Sequence, residues 1–217
     1  MRAHSSNSDF LSGAKIQIDA AWFRADNTVM NQFRKNNVVA GLHPLVKFLD
    51  GLSQRAPIEE LARLLHEAGV TSEDLKPYKV FGDSVYRRNL ICENDWYELL
   101  CICWRSGQRS PIHDHAQSTC GLRIMEGVCT ETIFESTPSG QIKAVGSNDC
   151  GVGHVCATQD AEVHQISNLQ SEGTDLVTLH IYSPPLRSMA TYSLHNVETE
   201  IYKPSNNDII CQYGDCI

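Results

Sequence analysis

The sequence predicts a mainly β protein, a β-barrel covered by a small helical N-terminal portion. Three observations predict it. After Pro77 the chain is a succession of short runs bounded by Gly, Pro, Asn and Ser and rich in β-branched and aromatic residues. These runs follow one another too closely for crossover helices, which favours a sandwich or barrel over a βαβ sheet. Helical periodicity, finally, is concentrated before Pro77.

Taken in order, residues 1–36 are polar and mixed, with a short helical stretch in AAWFRADNTVMNQFR, and are assigned to an N-terminal extension. Residues 37–217 are assigned to a single domain, with helices over about 38–76 and the barrel over about 80–203. VVAGLHPLVKFLDGL carries the first helical pattern, and PIEELARLLHEAG the second. In the latter Ile58, Leu61, Leu65 and Ala68 share a face and Gly69 can end the helix. Thr71 and Asp74 have the spacing of a cap before Pro77. The expected strands are VYRRNLIC, WYELLCICW, SPIHDH, CGLRIMEG, VCTETIFE, QIKAVG, GHVCAT, AEVHQISN and DLVTLHIYSPP.

The 217 residues are 41% hydrophobic and 20% charged, which is ordinary for a globular chain, and the formal charge is −8. That charge disfavours nucleic acid and anionic lipid as partners. No apolar run approaches the ~18 residues of a membrane span and the first residues lack the apolar core of a secretion signal, so a cytoplasmic monomer is expected. The nine cysteines include no C-x-x-C pair and are expected to be reduced thiols. Cys101 and Cys103 suit small buried positions on one strand face, whereas Cys211 and Cys216 near the C-terminus carry no assigned role.

The chemistry concentrates in HDHAQSTC. If the segment is a strand, His113 and His115 point to one side and Asp114 to the other, which makes a two-pronged clamp for Fe, Zn, Cu or Ni. His164, in AEVHQISN, is the candidate third ligand. Further on, DLVTLHIYS alternates: Val177, Leu179 and Ile181 face one way, and Thr178, His180 and Tyr182 the other. A polar row of this kind suits the wall of a metal pocket, or else a hydrogen-bonded core network. Of two adjacent arginines only one can enter the barrel, because Tyr86 and Arg88 share a face and Arg87 has the opposite one.

The spacing from Gly107 through H-D-H to Gly127 resembles the first motif of the cupin superfamily, and His164 with Asn168 resembles the end of the second. Where that motif usually places a glutamate ligand, this chain has Cys120. YRRNLI, CWRSGQRSPIHDH and VTLHIYSPPL, in this order between about Val80 and Leu186, together resemble the cysteine dioxygenase family. The resemblance implies a cupin-type β-barrel (jelly roll) and an Fe(II)-dependent thiol dioxygenase that converts L-cysteine and dioxygen to cysteine sulfinic acid, a step in cysteine catabolism. It implies His113, His115 and His164 as iron ligands, and Tyr182, His180 and Cys120 as catalytic residues with Thr178 in support. Arg88 and Tyr86 are implied as substrate-binding residues.

A thioether bond between Cys120 and the Tyr182 ring is also implied, which would fix the phenol and lower its pKa. Arg at position 88, rather than the Gln of members that prefer mercaptopropionate, favours L-cysteine as substrate. One departure stands out: Met189 is found where animal members often carry a further cysteine after the S-P-P turn. Trp104 suits the pocket edge or the core equally. The histidines His4, His43, His66, His154 and His195 match no motif and are assigned to surface or core. The alternatives are a dioxygenase for another thiol acid, mercaptopropionate or mercaptosuccinate, and a non-enzymatic metal-binding cupin.

Overall fold

The structure, a computed structural model, describes residues 29–160 and 162–208. Cys211, Cys216 and the start of the expected helical stretch therefore lie outside the described residues. Residues 29–36 are helical and lie against the barrel. Asn31 there exchanges hydrogen bonds with the Glu93 backbone, and Lys35 pairs with Asp50 at 2.5 Å.

Two helices follow, α1 (His43–Asp50) and α2 (Ile58–Glu67), introduced by a short turn of 3-10 helix over Ala40–Leu42. Each is amphipathic: Leu45, Val46 and Leu49 of α1 and Leu61 and Leu65 of α2 are buried. The Thr71–Asp74 cap forms as a reciprocal pair, the Thr71 backbone N–H donating to the Asp74 carboxylate and the Asp74 N–H to the Thr71 hydroxyl.

Among the described residues twelve strands make two six-stranded sheets. The first contains, in spatial order, β12 (Asn207–Asp208), β1 (Arg87–Asn94), β2 (Tyr97–Trp104), β9 (Leu176–Ser183), β4 (Thr119–Glu126) and β7 (Val155–Gln159). The second contains β11 (Thr199–Tyr202), β10 (Met189–Tyr192), β3 (Ile112–His113), β8 (Val163–Ser167), β5 (Cys129–Ser136) and β6 (Ile142–Cys150). The β1–β12 pair is parallel and the other pairs are antiparallel. This is the cupin double-stranded β-helix, as the sequence predicts.

Nine strands match expected runs; β10, β11 and β12 were not expected, and β12 lies beyond residue 203, the expected barrel end. β10 buries only Met189 and half-buries the rest, and β11 is exposed throughout, so no hydrophobic alternation marks them. QIKAVG extends to Cys150 because β6 is an edge strand held by its ladder to β5.

β2 and β9 are buried on both faces because helices cover one side and the barrel interior the other. Tyr97, Leu99, Cys101, Cys103, Val177, Leu179 and Ile181 share a core with α1 and α2, and Cys101 and Cys103 are small buried residues as expected. Leu100, Ile102, Trp104 and Tyr182 belong to the core between the sheets. On β4, Gly121 meets α2 directly, and a Cβ placed there would lie 2.6 Å from Leu65 Cδ1 and 3.2 Å from Leu61 Cδ2. Both leucines are fully buried and have little room to yield. Gly121→Ala is therefore expected to destabilise by about 1–3 kcal/mol, read as a lower urea midpoint with an unchanged slope. Arg123 on the same face donates to the Leu65 and Ala68 carbonyls at 3.1 and 2.6 Å, capping α2. Among the described residues no helix is long and apolar enough to cross a membrane.

Candidate metal centre

His113 and His164 are direct cross-strand partners on β3 and β8. His115 joins them from beyond the strand. The expected two-pronged strand clamp is corrected here: β3 ends at His113, and His115 opens a turn in which Ala116 has φ 50. Asp114 makes that turn. Its Oδ1 accepts the N–H groups of Ala116 at 3.1 Å and Ala190 at 3.2 Å, and its Oδ2 accepts the Tyr192 hydroxyl at 2.9 Å. Asp114 thus points away from the histidines as expected, while the loop it secures carries His115 back toward them. Gly107 and Gly127, which bracket the motif, have φ of 83 and 77, values that favour glycine.

The three buried imidazoles present ligand nitrogens within 4.8 Å of one another. Their outer nitrogens are all engaged. His113 Nδ1–H donates to the Pro111 carbonyl at 2.9 Å, and His164 Nδ1–H donates to Glu131 Oε1 at 2.7 Å. His115 Nδ1 meets the Thr158 hydroxyl at 3.1 Å. A carbonyl and a carboxylate only accept, so Nδ1 carries a proton in His113 and His164 and Nε2 is the nitrogen left to ligate.

His164 Nε2 and His115 Nε2 stand 3.2 Å apart, a separation at which two lone pairs repel unless a proton or a cation lies between them. Burial, followed by the neighbouring His164, pushes His113 down to about 3, and burial together with the other histidines holds His115 well below its usual value. A proton is therefore disfavoured on His113 and His115, and the neutral ring is the ligand form. The donor set fits a borderline divalent ion such as iron.

Around this group a narrow cleft is lined by Tyr86, Arg88, Cys120, His180, Tyr182 and Met189, among others. β9 supplies the polar row: Tyr182 OH meets His180 Nδ1 at 3.3 Å, His180 Nε2 meets Thr178 Oγ1 at 2.9 Å, and Trp104 Nε1–H donates to the same oxygen at 3.0 Å. Trp104 is therefore both core and pocket wall, and it stacks on Tyr86 with centroids 4.2 Å apart. Burial raises the Tyr182 phenol well above its usual value and likewise raises the Cys120 thiol, so both are protonated near neutrality. Cys120 and Tyr182 are direct partners across β4 and β9.

Arg88 enters the barrel and Arg87 stays exposed, as alternation requires. Buried there, Arg88 has a carboxylate partner within the protein, Glu98 on β2. Glu98 is 1% exposed and its Oε1 accepts Arg88 Nη2–H at 2.9 Å. Asn206 links the pair, accepting Arg88 Nε–H at 2.9 Å and donating to Glu98 Oε2 at 2.6 Å. The guanidinium also lies 5.1 Å from the Tyr182 ring centroid. Sequence reasoning missed Glu98, Asn206, Glu131 and Thr158. The only hint was Glu98 as the lone charge in the apolar run of β2.

Residues 32–195 match the family model described as cysteine dioxygenase type I. Cysteine dioxygenase type 1 of Danio rerio is 31% identical over 163 residues, covering 70% of this chain and 78% of that protein. The cysteine dioxygenase type 1 of Rattus norvegicus is 29% identical over 136 residues, covering 59% and 66%. Among solved structures, a conserved protein with a double-stranded β-helix domain from Klebsiella pneumoniae aligns with a TM-score of 0.46 at 13% identity, over 65% of this chain and 98% of that one. A family match that spans both histidine motifs and the polar row places the chain in the cysteine dioxygenase type I family of iron-using thiol dioxygenases.

Proposed function

We propose that the protein oxidises L-cysteine with dioxygen to cysteine sulfinic acid, using Fe(II) held by His113, His115 and His164. The observation that carries this reading is the convergence of three buried imidazoles, each with its outer nitrogen engaged, beside a buried arginine. Iron bound there would supply adjacent open positions at which a thiolate and dioxygen can meet. With no carboxylate among the three ligands, an anionic sulfur is favoured over a neutral one.

The chain's own groups do the positioning. Arg88, oriented by Glu98 and Asn206, offers a fork geometry suited to the substrate carboxylate. Tyr86, stacked on Trp104, closes the side of the cleft beside it. A hydrogen-bond chain sets the Tyr182 proton: Thr178 Oγ1 accepts from Trp104 and His180 Nε2 and can donate to the Ile102 carbonyl, 3.5 Å away. His180 Nδ1 is then an acceptor, and the Tyr182 hydroxyl donates to it. The phenol thus keeps its proton next to the place where substrate and dioxygen would lie.

A panel of cysteine, mercaptopropionate and mercaptosuccinate, assayed in air with the iron-loaded protein, tests this. Mass spectrometry should show a gain of two oxygen atoms on cysteine, with cysteine the preferred substrate. Arg88→Gln is expected to raise KM for cysteine by about 10–100-fold, in line with the roughly 1.5–3 kcal/mol of a charge-assisted hydrogen bond. A preference of the native protein for either other acid would replace cysteine as the substrate, and no product with any thiol would overturn the dioxygenase reading. Tight zinc, no iron and no turnover would favour a binding cupin.

The Cys120–Tyr182 thioether belongs to the same reading. Their opposed places on β4 and β9 support it, and joining them removes one hydrogen from each residue with dioxygen as oxidant. Intact mass of protein after turnover is expected to fall by two hydrogens, a change that Cys120→Ser should lack.

A further inference from the structure

The turn between β6 and β7 gathers a second set of metal-binding side chains, in the sequence CGVGHVC. Cys150 ends β6 and Cys156 lies within β7. His154, to which the sequence assigns no role, stands between them, and all three present ligand atoms within 4.8 Å of one another. The backbone enforces this approach. Gly153 takes φ 87, the His154 N–H donates to the Gly151 carbonyl at 3.1 Å, and the Gly153 N–H donates to the Ile124 carbonyl at 2.9 Å. The Ile124 N–H in turn donates to the His154 carbonyl at 3.0 Å, so the turn is tied to β4 at the residue that carries the imidazole.

We propose that Cys150, His154 and Cys156 bind a zinc-class divalent cation at a site separate from the three-histidine centre. Two thiolates and one imidazole are three of the four ligands of a tetrahedral site, with the fourth position left to water. Sulfur donors select zinc-like ions over magnesium or calcium. Two thiolates also cancel a 2+ charge, whereas three neutral histidines leave it in place, so the two centres differ in what they attract.

Access differs as well. His154 is exposed while Cys150 is buried, so an ion can arrive from solvent without entering the barrel. Burial, and the nearby Glu131 carboxylate, keep the Cys150 and Cys156 thiols above their usual range. A cation must displace those protons, so binding strengthens as pH rises. Glu131 is hydrogen-bonded to both Cys156 and His164, which puts one carboxylate in contact with both centres.

The test is anaerobic titration of the iron-loaded protein with Co(II), read by absorption, followed by Zn(II). The expected result is one added equivalent of cobalt with thiolate-to-cobalt charge-transfer absorption, bleached when zinc displaces it. His154→Ala, at an exposed position that does not disturb packing, should weaken cobalt binding by about tenfold or more with iron content unchanged. Cys150→Ser/Cys156→Ser should remove the charge-transfer band. Cobalt binding without that band, a band that survives the double substitution, or affinity unmoved by His154→Ala would each overturn the proposal, and His154→Ala decides alone if the cysteine variant fails to fold.

Discussion

His164→Ala is expected to lose both iron retention and thiol-dependent oxygen uptake by well over 100-fold, because it removes one of the three proposed protein ligands and the imidazole opposite His113. Its companion, Glu131→Gln, should be milder. Glu131 Oε1 accepts the His164 Nδ1–H at 2.7 Å, fixing the ring's tautomer and angle while adding negative charge behind it. Loss of such an outer partner typically costs about 10–100-fold in metal affinity. An amide at residue 131 can still accept the proton but carries no charge, so the size of its effect separates orientation from electrostatics. Iron measured after dialysis against a chelator gives both numbers. Stoichiometric iron in His164→Ala would remove this residue from the ligand set.

The relation between the two sites of interest and the sequence is uneven, for physical reasons. Period-2 alternation in DLVTLHIYS placed Thr178, His180 and Tyr182 on one wall because β9 is a regular strand covered on both faces. His115 joined the cluster by a different route from the one its spacing suggested, since Asp114 folds the chain into a turn after a two-residue strand. Glu131 and Thr158 reach the histidines from β5 and β7, through pairings 33 and 43 residues apart in sequence. No local pattern encodes such partners, because their role depends on which strands become neighbours. Glu98 shows the same limit. A lone charge among buried apolar residues signals a partner somewhere, but in the ladder Arg88 stands opposite Ile102 and Glu98 opposite Glu93, so only the long arginine side chain reaches the carboxylate.

That ion pair sets the second large effect. Arg88 and Glu98 are 6% and 1% exposed, so neither charge is screened by solvent, and removing one leaves the other stranded. Arg88→Gln is expected to destabilise the protein by about 3–5 kcal/mol, a fall in melting temperature of roughly 6–20 °C for a chain of this size. Arg88→Gln/Glu98→Gln should recover most of that loss, because two neutral amides can hydrogen-bond without an unpaired charge. Recovery of stability should not bring recovery of substrate binding, since a carboxylate held by a guanidinium finds no equivalent in an amide. Thermal unfolding and KM for cysteine, measured on both variants, therefore separate the two tasks assigned to Arg88. A double variant no more stable than the single one would show that Glu98 does not depend on the arginine, and one with native KM would show that Arg88 holds Glu98 and not the substrate.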